Sequence, residues 1–264
     1  MSEPTFPFFG YLVPMENTID VYDLGLQPYH NTWNLQKSIQ SELITQKLQF
    51  RDGIIPEHRK NDTFLFVEHP HVYTLGKSGK SSHLLKGLKE LKEIGAEYVE
   101  IDRGGDITYH GPGQIVGYPI IDLDRYFPDI HQYLRFLEEV VIRTLSDYGI
   151  KGERISKLTG VWVKGQKICA MGIRCSRWVT MHGFALNVNT DLSYFDHIVP
   201  CGLKNKSVTS LSTILGKQMD MNEIKNRLLR HFSEVFNVSI NRLPSSPDSM
   251  IMLNENNNQF VNEI

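Results

Sequence analysis

The chain has 264 residues, 41% of them hydrophobic and 22% charged, enough apolar material at this length to bury a sizeable core, which excludes disorder as the main state. Its 28 Lys and Arg against 30 Asp and Glu leave a net charge of −2, so no global basic field draws it to nucleic acid or anionic lipid and any partner must be recognised at a local site. Cys169, Cys175 and Cys201 are an odd number of cysteines, which argues against a disulfide framework and for a free thiol in a reducing cytoplasm.

The N-terminal MSEPTFPFFGYLVPMENT has neither a basic start nor an unbroken apolar run, and no stretch approaches the roughly 18 apolar residues of a membrane span. A soluble, unprocessed chain is the expectation. After a leader over 1–19, Leu35, Ile39, Leu43, Ile44 and Leu48 recur at helical spacing, and 63–68 is an apolar run of strand length. Residues 97–101 alternate and 115–121 are apolar and β-branched; between them lies Arg103-Gly-Gly-Asp-Ile-Thr-Tyr-His-Gly-Pro-Gly-Gln114, a strand-to-strand connection with four glycines. Asp129 is the expected N-cap of a long amphipathic helix with Ile130, Tyr133, Leu134, Leu137, Val141, Leu145 and Tyr148 on one face and Gly149 as its stop. Val161-Trp-Val163 and Lys167-Ile-Cys169 flank Lys164-Gly165-Gln166 and read as a hairpin. A strand over 184–188 and helices over 207–215 and 222–236 follow, and from 241 to 264 the chain is polar and reads as a loosely attached tail. Without a regular βαβ repeat or an internal linker, the economical reading is one α+β domain over 20–240, with a mixed β-sheet and flanking helices.

Several motifs compete for the chemistry. Gly76-Lys-Ser78 and Gly79-Lys-Ser81 resemble the end of a phosphate-binding loop, but His71 and Thr74 stand where its first glycine belongs. His69, His71, His110, His182 and His197 accompany the cysteines without any Cys-x₂-Cys pair or His-Glu-x-x-His helix, so no metal is expected. Cys201 sits between Pro200 and Gly202, in a turn that can offer a thiol to a substrate, which makes it a candidate nucleophile; on its own, a lone cysteine in a turn is more often incidental.

Four segments taken together change that weighting: 103–114, Lys167-Ile-Cys-Ala-Met-Gly172, His182-Gly-Phe-Ala-Leu-Asn-Val-Asn189 and Pro200-Cys-Gly202. From Leu24-Gly-Leu-Gln-Pro-Tyr29 to about residue 215 the chain resembles the lipoyl(octanoyl) transferases. The resemblance implies a fold similar to the catalytic domain of lipoate and biotin protein ligases, and transfer of an octanoyl group from octanoyl-acyl carrier protein to the acceptor lysine of apo lipoyl domains. Those domains would belong to 2-oxoacid dehydrogenase E2 subunits and the glycine cleavage H protein, in the first step of endogenous protein lipoylation. It further implies that Cys201 carries the acyl thioester and that Lys167 is its catalytic partner.

The residues permit this chemistry. A thiol with a pKa near 8.5 is only about 3% thiolate at pH 7, and a cation at Lys167 would favour the charged form. The acceptor lysine is neutral only about once in 2,500 at pH 7, a handicap of roughly 4.6 kcal/mol. A general base is therefore needed, and the resemblance points to Lys167, which could take the proton if its own pKa falls once its counter-charge is consumed in the thioester. The resemblance implies a substrate-binding segment at Arg103, Gly104, Gly105, Asp106, Ile107, Thr108, Tyr109 and His110, with the rings of Tyr109 and His110 orienting the thioester, and further contacts at Ala170, Met171 and Gly172 and at Gly183, Phe184 and Ala185. Small residues there leave a slot for an eight-carbon chain, worth on the order of 5 kcal/mol at about 0.8 kcal/mol per buried methylene. His69 and His182 are further site-lining candidates. No cofactor is expected: the donor is already a thioester on the carrier's phosphopantetheine, so neither ATP nor a metal is called for. A thiol hydrolase pairing Cys201 with His182 or His197, and a non-catalytic carrier-binding module, are the competing readings.

Overall fold

Strand β1 (Asn17–Leu26) turns Ile19, Val21 and Leu24 inward, and the chain then enters α1 (Tyr29–Arg51), whose Leu35, Ile39 and Leu43 form its buried face. The helix is the crossover that a parallel pair of strands requires: β2 (Asp62–Glu68) lies parallel to β1. The computed structural model describes residues 17–56, 60–199 and 207–244. After β2 the chain leaves the main layer to build a small sheet from β3 (Val72–Leu75), β4 (Glu97–Glu100) and β5 (Ile107–His110), with α2 (Leu88–Glu93) between the first two. It returns through β6 (Gln114–Ile120), α3 (Ile130–Ser146), β7 (Glu153–Ile155), β8 (Leu158–Val163), β9 (Gln166–Ser176) and β10 (Val179–Asn187). It closes with α4 (Leu211–Leu215), α5 (Met221–Phe236) and β11 (Val238–Arg242).

Among the described residues the larger sheet runs β11-β1-β2-β6-β10-β9-β8-β7 and the smaller β4-β3-β5. Apolar side chains of α1 cover one face of the larger sheet, meeting Leu65, Val67, Val116 and Ile120. Helices α3 and α5 pack on the other, where Phe64, Phe66, Phe184 and Phe232 share the largest apolar cluster. This is the α+β arrangement with mixed sheets and flanking helices expected from the sequence. Among the described residues, no helix is long and apolar enough to cross a membrane.

The expected cap at Asp129 is present, and α5 has a like one. The Asp129 carboxylate accepts from the N–H groups of His131 and Gln132, and Asp220 does the same for Asn222 at the start of α5. The two-residue turn between β8 and β9 has Lys164 and Gly165 both at positive φ, 48° and 77°, the backbone that matches the twist of a tight hairpin.

Three expectations are corrected. Residues 207–209 are not helical: Ser210 caps α4, accepting from the Thr213 N–H, and the preceding residues run extended beside Lys167. The strands expected over 167–169 and 184–188 extend to 166–176 and 179–187, because their added halves carry glycine and polar residues that blur the alternation. Finally, β1 begins at Asn17 and pairs with β11, which ends at Arg242, so the sheet reaches past both limits drawn at 20 and 240.

Candidate active site

Between the 103–108 segment and strands β9 and β10 lies a cavity of about 490 Å³. The connection entering β5 forms its roof. Gly104 N–H donates to the Ile173 carbonyl at 2.9 Å, pulling the roof onto β9. A Cβ on Gly172 would lie 2.8 Å from the Gly104 carbonyl oxygen and 3.0 Å from Arg103 Cδ, so that position tolerates only glycine at this spacing. Gly172→Val should therefore push the roof off the strand and, at the cost of overpacking, lower by about tenfold or more the octanoyl transfer that the family resemblance implies. The thermal midpoint, measured alongside, should move little if the roof yields; normal transfer by this variant would mean that the cavity is not the acyl site.

Arg103, Gly104, Gly105, Asp106, Ile107, Thr108, His110, Lys167, Ala170, Met171, Gly172, His182, Gly183, Phe184 and Ala185 all line the cavity. Segments up to 82 positions apart are thus brought together. Tyr109 and His69 are not among the lining residues. Alternation along β5 points Tyr109 the other way, into an apolar cluster with Tyr73 and Ile107, where its hydroxyl meets His71 Nδ1 at 2.7 Å. The pairing of Tyr109 with His110 as joint orienters of substrate is corrected accordingly: neighbouring residues of a strand face opposite sides. His69 stands one layer back. Its Nδ1 donates to the Gln27 carbonyl at 2.7 Å, so its Nε2 accepts from the hydroxyl of Tyr118 at 2.9 Å, and Tyr118 in turn lines the cavity. Burial pushes the His69 imidazole down to about 4 and lowers those of His110 and His182 as well, so all three are neutral near pH 7.

A hydrogen-bond chain of fixed direction runs along the cavity wall. Arg103 Nη2 donates to Thr74 Oγ1 at 3.0 Å, and Thr74 Oγ1 lies 3.4 Å from His110 Nε2. His110 Nδ1 donates to Gln114 Oε1 at 2.8 Å, Gln114 Nε2 to Asn187 Oδ1 at 2.9 Å, and Asn187 Nδ2 to the Thr209 carbonyl at 3.0 Å. Thr209 N–H closes the chain on the Lys167 carbonyl at 3.0 Å, while Lys167 N–H donates to Ser207. Gln114 and Asn187 fall within the 103–114 and 182–189 motifs, but nothing local marks them as site residues. Their role emerges only when a strand 73 positions away supplies the partner.

Lys167, the second residue of β9, has its Nζ 4.8 Å from the centroid of the Trp162 ring, a cation–π contact that steadies the ammonium beside another cavity-lining residue. Cys201, its expected partner, lies outside the described residues; Ser207, six positions after it, is the residue bonded to the Lys167 backbone. The other two thiols are poor nucleophiles. Cys169 is fully buried in the main core, and burial raises the pKa of both Cys169 and Cys175; neither lines the cavity.

The lysine- and serine-rich turn after β3 is committed elsewhere. The N–H groups of Gly76, Lys77 and Ser78 donate to the carbonyls of Asp106, Arg103 and Gly105, so they support the roof rather than a phosphate. Among the described residues no group of three or more His, Cys, Asp or Glu is placed to hold a metal ion.

Comparison with known proteins follows the same outline. Residues 29–233 match the family described as the lipoyl protein ligase A/B catalytic domain. An octanoyltransferase of Christiangramia forsetii is 55% identical over 233 residues, covering 86% of this chain and 99% of the relative. One of Flavobacterium psychrophilum is 52% identical over 235 residues, covering 86% and 100%. Among solved structures, a lipoate-protein ligase A bound with ATP superposes with a TM-score of 0.65 at 17% identity, covering 93% of this chain and 95% of that one. A Thermoplasma acidophilum protein described as a putative lipoate protein ligase gives the same TM-score at 16% identity, covering 94% and 95%.

Proposed function

The chain belongs to the lipoyl protein ligase A/B catalytic domain family, and we propose that it transfers octanoyl groups from octanoyl-acyl carrier protein through a thioester on Cys201 to the acceptor lysine of apo lipoyl domains. It is an acyltransferase, as its relatives' shared name of octanoyltransferase indicates, and it serves protein lipoylation. The observation that carries the finer reading is the cavity itself. Ala170, Met171, Phe184 and Ala185 give part of its lining an apolar character suited to an acyl chain, and Lys167 lines the same cavity.

In this reading the Cys201 thiolate attacks the octanoyl carbonyl, and the carrier's phosphopantetheine leaves as a thiol after taking a proton from the Lys167 ammonium, which leaves that lysine neutral. The lipoyl-domain amine then attacks the new thioester, its proton passes to Lys167, and the Cys201 thiolate is released. Donor and acyl-enzyme are both thioesters and the product is an amide, so the sequence runs downhill without ATP. Neutral His110 and His182 add no charge to a cavity that already holds Arg103, Asp106 and Lys167, which limits the charge stranded against methylenes. The acceptor domains expected are those of the 2-oxoacid dehydrogenase E2 subunits and the glycine cleavage H protein.

Product analysis tests this reading. Incubation with octanoyl-acyl carrier protein and an apo lipoyl domain, without nucleotide, should yield an octanoyl amide on the domain's lysine. Free octanoate as the sole product would make the protein a thiol hydrolase. A requirement for ATP would place it with the ligases.

A further inference from the structure

We propose that Asp102 is a positioning residue that clamps the roof of the cavity onto the large sheet and thereby sets the acyl chain length the site accepts. The inference rests on the octanoyl reading above. Asp102 immediately precedes the roof and lies outside the segments that suggested the site. Its Oδ1 accepts from His182 Nε2 at 2.9 Å and from Trp33 Nε1 at 3.2 Å, and its Oδ2 is paired with the Arg174 guanidinium. A single carboxylate therefore ties the roof to β10, α1 and β9 at once. The adjacent Arg103 anchors the same loop to the small sheet, its Nη2 donating to the Thr74 carbonyl at 2.7 Å. The roof hangs between these two attachments.

Its height over the cavity follows from them. Gly104 N–H reaches Ile173, one residue from Arg174 on β9, so releasing Asp102 frees the end of the loop that carries this contact. Burial works against the Asp102 carboxylate, but the His182 and Trp33 N–H groups and the Arg174 guanidinium outweigh it and hold the group well below the usual carboxylate range.

His182 bears a second mark of the clamp. It lies within β10 yet takes a left-handed backbone with φ 62°, a conformation that a non-glycine residue keeps only where its surroundings over-determine it. Its N–H donates to Gln36 Oε1 at 2.9 Å, and its ring, neutral through burial, spends its one N–H on Asp102. That leaves Nδ1 without a hydrogen-bond partner among the described residues. The cavity-lining histidine is thus oriented by the same carboxylate that holds the roof.

The test compares hexanoyl, octanoyl and decanoyl carrier-protein donors with the wild type, Asp102→Ala, Asp102→Asn and Arg174→Met. Loss of charge-assisted hydrogen bonds in Asp102→Ala should raise KM for the octanoyl donor about tenfold or more and flatten the octanoyl-to-decanoyl ratio of kcat/KM. Asp102→Asn keeps an acceptor for His182 and Trp33 and should retain more of the preference, and Arg174→Met should fall between. A residue that merely supports folding would reduce the active fraction, lowering kcat equally for all three donors with KM and the ratio unchanged; that outcome overturns the proposal. Should Asp102→Ala not fold, unchanged KM and unchanged ratio in both other variants overturn it equally. A wild type that transfers no octanoyl group would instead overturn the functional reading, and the inference with it.

Discussion

Cys201→Ala should lose octanoyl transfer to a lipoyl domain by roughly 10⁴-fold or more, the scale on which enzymes fall when a covalent nucleophile is removed. Without the thiol, the acceptor amine must attack the carrier thioester directly, and only about one amine in 2,500 is neutral at pH 7. Cys169→Ala and Cys175→Ala should keep near-normal rates: their thiols are raised in pKa by burial and stand apart from the cavity. Cys169→Ala removes a fully buried side chain, so some loss of stability is expected there, and rates are to be compared at a temperature where the fold is intact. Transfer by Cys201→Ala at a rate close to wild type would exclude a covalent route through that residue.

Lys167→Met should separate two jobs that the lysine is proposed to perform. If the ammonium favours the Cys201 thiolate, the variant acylates slowly at pH 7 because less thiolate is present, and raising the pH toward 9 restores much of the loss. If the same lysine also accepts the proton of the incoming amine, the variant at pH 9 forms the acyl-enzyme yet discharges it slowly. General-base contributions run at roughly 10²- to 10⁴-fold, large enough to be plain in single-turnover measurements of the two half-reactions. We expect both defects, with discharge the slower step at pH 9. Unimpaired discharge would confine Lys167 to tuning the thiol. Methionine keeps the length and apolar bulk of the side chain, so packing against Trp162 is altered less than by alanine.

What could be read in the sequence divides along physical lines. Helix α3 was legible because its apolar stripe and its cap at Asp129 are local signals, contained within one element. The turn at Lys164-Gly165 was legible for the same reason. Strands β1 and β11 were not, since each is a half-polar segment stabilised by pairing with a partner more than 200 positions away. The extended halves of β9 and β10 escaped because residues facing a cavity need not alternate as residues facing a core do. Three of the four motifs, 103–114, 167–172 and 182–189, do converge on that cavity; the fourth, Pro200-Cys-Gly202, lies outside the described residues. The separation of Tyr109 from His110 was available in principle, since a strand sends consecutive side chains to opposite faces. The wall from Arg103 through Gln114 and Asn187 to Thr209 could not be foreseen, because each of its long-range bonds depends on strand order. Asp102 is the sharpest case. It precedes the glycine pair of the roof, but its partners Trp33, Arg174 and His182 lie 69, 72 and 80 positions away.

The covalent route through Cys201 is tested most directly by intact mass spectrometry of the wild-type protein after brief incubation with octanoyl-acyl carrier protein alone, followed by peptide mapping. The account predicts a single added octanoyl group, removed by hydroxylamine, located on the peptide containing Cys201, and transferred to the lysine when an apo lipoyl domain is added. An adduct on Cys169 or Cys175, or rapid transfer to the lipoyl domain with no acyl-enzyme at any time point, would contradict it.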